Sequence, residues 1–96
     1  MNTNSQAIAT FGADAQLAGL ITEYRKLVRS VIAKVGGAIV RDSGEDIEQQ
    51  VWMAIWGRLQ GQQEIDHPTT YIYTVARREA VHAVQSELSA SGDAVR

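Results

Sequence analysis

This chain predicts an all-α fold, a small three-helix domain, on three observations. Apolar residues recur at spacings of three and four through three long stretches. Strand-like runs bounded by turn residues are missing, and only one proline is present. Hydrophobic residues make up 45% of the 96, enough for one core and, at this length, for one domain only.

The first helix is expected from Asp14, a plausible N-cap, through Val35. Leu17, Leu20, Ile21, Tyr24, Leu27, Val28, Val31, Ile32 and Val35 follow at threes and fours, the strongest amphipathic pattern in the chain. Residues 1–13 are small and polar without a period and are expected to be a disordered tail. Gly36 and Gly37 should end the helix, because each glycine in a helix interior costs about 1 kcal/mol relative to alanine. Ala38, Ile39 and Val40 then form a last turn or a short separate piece, and Asp42-Ser43-Gly44 is a break.

The second helix is expected from Gly44 to Leu59. Ser43 with Asp46 three residues later resembles a capping box, with Asp in place of the usual Glu or Gln. At about 100° per residue, Ile47, Val51, Ala54 and Ile55 share one side, extended by Leu59, Trp52 and Trp56. Asp46, Gln49, Gln50 and Met53 form a narrow stripe on the other, at i, i+3, i+4 and i+7. Arg58 lies within the apolar arc, so its stem should pack while its guanidinium reaches a carboxylate or water.

A loop follows from Gly61 to His67. Pro68 suits the first position of a third helix, with Asp66 or His67 near the cap. That helix should reach about Leu88, with Ile72, Tyr73, Ala76, Ala80, Ala83 and Val84 facing inward. Three alanines on that arc imply close approach to a neighbouring helix. Tyr71, Thr74, Arg78, His82 and Gln85 line the opposite face, and residues 89–96 read as a second disordered tail.

Several function classes are excluded. No cysteine is present, so neither a disulfide framework nor a thiolate metal site can form, and His67 and His82 are isolated. No apolar run approaches the roughly 18 residues of a membrane span. The first residues lack the basic start and apolar core of a secretion signal, so a cytoplasmic protein with no membrane partner is expected. No Ser-His-Asp set, glycine-rich phosphate loop or HExxH occurs. Glu45, Asp46 and Glu48 could be drawn as an acid/base or metal cluster, but acids at a helix N-terminus ordinarily serve the macrodipole. No enzyme activity, metal or cofactor is expected.

The net charge of −2 argues against coating nucleic acid by charge alone. Its distribution says more. Residues 17–41 carry five bases and one acid, whereas residues 42–60 carry four acids and one base. The two faces either complement each other within the molecule or serve two partners of opposite charge.

Two stretches carry a resemblance. Gly44-Glu-Asp-Ile-Glu-Gln-Gln-Val-Trp-Met-Ala-Ile-Trp resembles the AEDLxQExFxxxW signature of region 2 in bacterial sigma-70-type factors of the extracytoplasmic-function group. His67-Pro-Thr-Thr-Tyr-Ile-Tyr-Thr-Val-Ala-Arg-Arg-Glu-Ala-Val-His-Ala-Val-Gln resembles that region's second signature, xPxxWLxxIARNxxxDxxR. Both occur in the family's order and at about its spacing, and the resemblance spans roughly residues 15–88.

The resemblance implies a region-2 domain, residues 14–88, that acts by binding in transcription initiation. Asp46, Gln49 and Gln50 match the contacts to the coiled-coil clamp helices of the β′ subunit of core RNA polymerase. The independent helical phase places the same three residues beside Met53, whose soft side chain can fill an uneven groove. The loop and third helix would recognise and open the −10 promoter element, gripping its single-stranded non-template strand with His67, Thr70, Tyr71, Thr74, Arg77 and Arg78. Tyr71 would stack on a base, and the two arginines would bind phosphates.

The third helix departs from the family pattern. Arg78 replaces the family asparagine, His82 its aspartate and Gln85 its terminal arginine, which thins the promoter-facing charge. The family's helix-turn-helix domain for the −35 element is not in this sequence, which reads as an excised domain or as a free-standing region-2 protein. An anti-sigma factor and a separate −35-reading subunit are therefore further candidate partners. The alternatives are a sigma-like accessory or competitor that binds polymerase without reading promoters, and a helical protein–protein adaptor.

Overall fold

The computed structural model describes the backbone of residues 2–61 and 64–95, and the side chains of residues 12–61 and 64–89. Among these residues there are three α-helices and no strand: α1 is Asn2–Gly36, α2 is Gly44–Gln60 and α3 is Pro68–Val95. A single 3₁₀ turn, Gly37–Val40, follows α1. α1 packs against both other helices, and α2 packs against α3. The all-α, three-helix expectation holds.

The outer ends depart from expectation. The apolar period predicts a start at Asp14 and a stop near Leu88, but α1 begins at Asn2 and α3 runs to Val95. Of the two expected tails, residues 2–13 and 89–95 are helical, and Ala13 joins the core. Once a helix is nucleated each added residue gains one backbone bond, and Ala7, Ala9, Ala13, Ala90 and Ala94 favour that. A boundary drawn from apolar period misses turns that carry no such period. Asp14 is accordingly mid-helix, where its Oδ1 accepts a hydrogen bond from Trp56 Nε1 at 3.2 Å.

The glycine pair does end α1. Gly36 is the last α-helical residue, and Gly37 adopts φ +54°, in the left-handed region that glycine enters without steric cost. A Cβ on Gly36 would collide with the side chain of Val40. The 3₁₀ turn thus folds back over Gly36 and seats Val40 in the core at 1% exposure. The capping box at Ser43 does not form. Ser43 makes no side-chain cap bond, and its carbonyl accepts the Ile47 N–H at 3.0 Å instead. Glu45 and Asp46 in the first turn of α2 and Arg58 in its last match the helix dipole.

Val28, Val31 and Ile32 of α1, Ile47, Val51 and Ile55 of α2, and Ala76 of α3 are buried together, as the periodicity predicts. Trp52 and Leu59 extend the α2 side inward. Trp56 does not; it remains 37% exposed beside Asp14. On α3, Ala76 and Ala80 are fully buried, which lets the helix approach its neighbours closely. Pro68 opens α3, and the carbonyl of His67 accepts the Tyr71 N–H at 2.9 Å.

The inner arc of α3 needs one correction. Val75 is buried at 1% exposure, whereas Tyr73 is 48% exposed. The buried arc is therefore Ile72, Val75, Ala76 and Ala80, at i, i+3, i+4 and i+8, and Tyr73 belongs to the outside.

Candidate functional site

Asp46, Gln49, Gln50 and Met53 are all exposed on α2, and Met53 reaches 57%. Their neighbours Ile47, Val51 and Ile55 are buried. The α2 backbone therefore presents the four as one continuous stripe. A carboxylate and two carboxamides around a polarizable thioether can pair with arginines and fill an irregular apolar groove on a partner helix.

Behind the stripe lies a cluster that the periodicity does not flag. Glu48 is buried at 7% exposure, among acids that the sequence places at a helix terminus in solvent. Its Oε2 accepts bonds from Arg25 Nε and Trp52 Nε1, both at 3.1 Å, and its Oε1 accepts Arg29 Nε at 3.0 Å. Burial pushes the Glu48 carboxyl up, but the hydrogen bonds from Arg29 and Trp52 and the charges of Arg29 and Arg25 outweigh it, leaving it below its ordinary value. Glu48 thereby ties α2 to α1. The sequence signal was available: Arg25 and Arg29 are one turn apart on the basic helix, and Glu48 and Trp52 one turn apart on the acidic one.

The other expected edge is the loop and α3. His67, Thr70, Thr74, Arg77 and Arg78 are exposed. Tyr71 is half-buried and packs on the core, with the Arg58 guanidinium carbon 4.7 Å from its ring centroid. Arg58 Nη2 also donates to the Glu64 carbonyl at 3.2 Å, so among the described residues its partners are a ring and a backbone oxygen, not the expected carboxylate. Tyr71 is thus committed to the fold on one face. Tyr73 is the aromatic presented outward. Thr70, Tyr73, Thr74 and Arg77 stand at i, i+3, i+4 and i+7, a second exposed stripe. Thr74 Oγ1 donates back to the Thr70 carbonyl at 2.8 Å, and Arg78 Nε pairs with Glu79 at 3.4 Å. His82 and Gln85 are also exposed. Gln62 and Gln63 of the loop lie outside the described residues.

Among the described residues no group of three His, Cys, Asp or Glu is placed to hold a metal ion, and no helix is long and apolar enough to cross a membrane. Two exposed stripes thus stand on one helical scaffold. The Sigma-70 region 2 family model matches residues 20–88. The chain belongs to that family, whose members are domains of transcription initiation factors and not enzymes. In the family this domain binds core RNA polymerase and recognises the −10 promoter element. No curated protein and no solved structure matches the chain.

Proposed function

We propose that residues 14–88 form an extracytoplasmic-function-type region 2 that docks on the β′ clamp helices through Asp46, Gln49, Gln50 and Met53, in the cytoplasm. The observation that carries this is the stripe itself. Three residues that match the family's docking helix, Asp46, Gln49 and Gln50, share one exposed face with Met53, while the residues between them are buried. The test is a pull-down of core RNA polymerase with the chain and with an Asp46→Arg, Gln49→Ala variant. Binding by the parent and loss in the variant, with unchanged helical circular dichroism, is the expected result.

The DNA-facing edge is the loop end and the α3 stripe, with His67, Thr70, Thr74, Arg77 and Arg78 contacting the non-template strand of the −10 element. Tyr73 takes the stacking role, because Tyr71 is held under Arg58. A separate −35-reading subunit and an anti-sigma factor are further partners of this reading.

One observation favours a second reading, an accessory protein that binds polymerase without reading promoters. Arg78 is paired with Glu79, which leaves Arg77 as the main uncommitted cation on that stretch of α3. Fluorescence anisotropy with a single-stranded −10 oligonucleotide, with and without core enzyme, separates the two. Core-dependent binding supports the promoter reader, and its absence supports the accessory protein.

A further inference from the structure

Arg58 occupies a place that an apolar side chain would fill at less cost. It lies on the apolar arc of α2, beside the buried residues Ile55 and Leu59, and is itself half-buried. Its Nε is buried and has no hydrogen-bond partner among the described residues. An unpaired buried donor costs stability, and this cost offsets what the guanidinium gains from the Tyr71 ring and the Glu64 carbonyl. A methionine would keep the packed stem and carry no donor to strand. Packing therefore does not account for the guanidinium at position 58.

Its two contacts converge on the junction between α2 and α3. One planar group grips the chain before α3 through Glu64 and the first turn of α3 through Tyr71. Ile65, between them in sequence, packs against the core. From α1, the Tyr24 hydroxyl accepts a hydrogen bond from Thr69 Oγ1 at 3.2 Å. Both other helices thus hold points of the segment 64–71, which carries the exposed His67 and Thr70. The acids of that segment are Glu64 and Asp66, and it has no lysine or arginine to draw in a phosphate. Its value to a bound strand lies in where its backbone, His67 and Thr70 are held. Freedom left in such a segment before binding is surrendered on binding and lowers affinity.

We propose that Arg58 is a positioning residue for strand capture: its guanidinium presets the Glu64–His67 segment and the first turn of α3 in the conformation that receives the single strand. The inference rests on the promoter-facing reading of α3 above. Arg58 acts through Glu64 and Tyr71 and need touch neither base nor phosphate.

The test compares Arg58→Met and Arg58→Lys with the parent chain. Arg58→Met keeps the stem and removes the guanidinium. Its thermal midpoint should be close to the parent's or above it. Amide exchange at Ile65, Asp66 and His67 should quicken by about fivefold or more, as local order is lost. Holoenzyme carrying it should bind a single-stranded −10 oligonucleotide about three- to tenfold more weakly, with core polymerase binding unchanged. Arg58→Lys retains the charge but has no planar fork to span ring and carbonyl, and should also bind the oligonucleotide more weakly than the parent. Parental oligonucleotide binding by Arg58→Met overturns the proposal. A midpoint that falls in step with oligonucleotide binding overturns it too, since Arg58 would then serve the fold alone. Loss in Arg58→Met with parental binding in Arg58→Lys assigns the effect to charge and also overturns it. If Tyr73→Ala loses the oligonucleotide while Arg58→Met binds normally, the promoter-facing reading stands and only the positioning role is wrong. Failure of the parent holoenzyme to bind the oligonucleotide overturns both.

Discussion

The Arg58 guanidinium lies over the ring of Tyr71, 4.7 Å from its centroid, and in the same pose donates to the Glu64 carbonyl at 3.2 Å. One side chain from the end of α2 thereby pins the loop and the first turn of α3 together. A stacked cation of this kind contributes about 0.5–2 kcal/mol, more when desolvated. The contact also covers one face of the Tyr71 ring, whereas Tyr73 is 48% exposed.

Tyr71→Ala and Tyr73→Ala should therefore behave differently. Tyr71→Ala should lower the thermal midpoint, because it removes a packed ring and the seat of Arg58. Tyr73→Ala should leave the midpoint close to parental and reduce binding of a single-stranded −10 oligonucleotide by holoenzyme, where base–aromatic stacking is worth roughly 1–3 kcal/mol. Equal oligonucleotide binding by Tyr73→Ala and the parent would remove Tyr73 from the interface.

Ile55 is fully buried at the meeting of the three helices. Ile55→Ala should cost roughly 2–5 kcal/mol in urea unfolding, through lost transfer energy and the cavity left behind. A loss within about 0.5 kcal/mol, ordinary for surface positions, would mean that this face of α2 is not the core face.

Glu48 makes stability pH-dependent with a definite sign. Its carboxyl sits below the ordinary 4.5 when folded, so the unfolded chain binds the proton more tightly. The contribution is fully present above pH 4.5 and is lost as pH falls from there through the folded value. Thermal midpoints should decline below that pH in the parent and decline less in Glu48→Gln. Glu48→Ala should cost about 1–3 kcal/mol at neutral pH, because Trp52 Nε1 loses its acceptor in a buried setting. The half-exposed arginines can turn to water and add little.

Gly36→Ala should destabilise by about 1–3 kcal/mol, the usual range for overpacking, because the new methyl meets Val40. Gly37→Ala has open space but must hold φ +54°, at a cost of roughly 1–2 kcal/mol. Chemical denaturation of the two single variants checks both. Losses near zero for each would show that the 3₁₀ turn can reshape without its glycines.

By itself the sequence determined the helices, their order and most of the core. Val28, Ile32, Val51 and Ile55 lie on faces that a 3.6-residue period marks, and Gly36, Gly37 and Pro68 punctuate the chain by their own backbone limits. The exposed stripe of α2 was legible for the same reason: if Ile47, Val51 and Ile55 point inward, Asp46, Gln49, Gln50 and Met53 must point outward. What only the tertiary structure decided is which polar or aromatic side chain at the edge of a face finds a partner far along the chain. Glu48 turns inward because Arg25 and Arg29 arrive from α1, and Tyr71 is claimed by Arg58 while Tyr73 is left to solvent. Arg25 and Arg29 of α1 likewise come to line one groove with Glu45 and Gln49 of α2 only once the two helices are packed side by side. Helical period is a local property set by hydrogen bonds four residues apart, whereas these pairings span 13, 19 and 23 residues, so a local pattern can mark candidates such as Arg25, Arg29, Glu48 and Trp52 but not which of them meet.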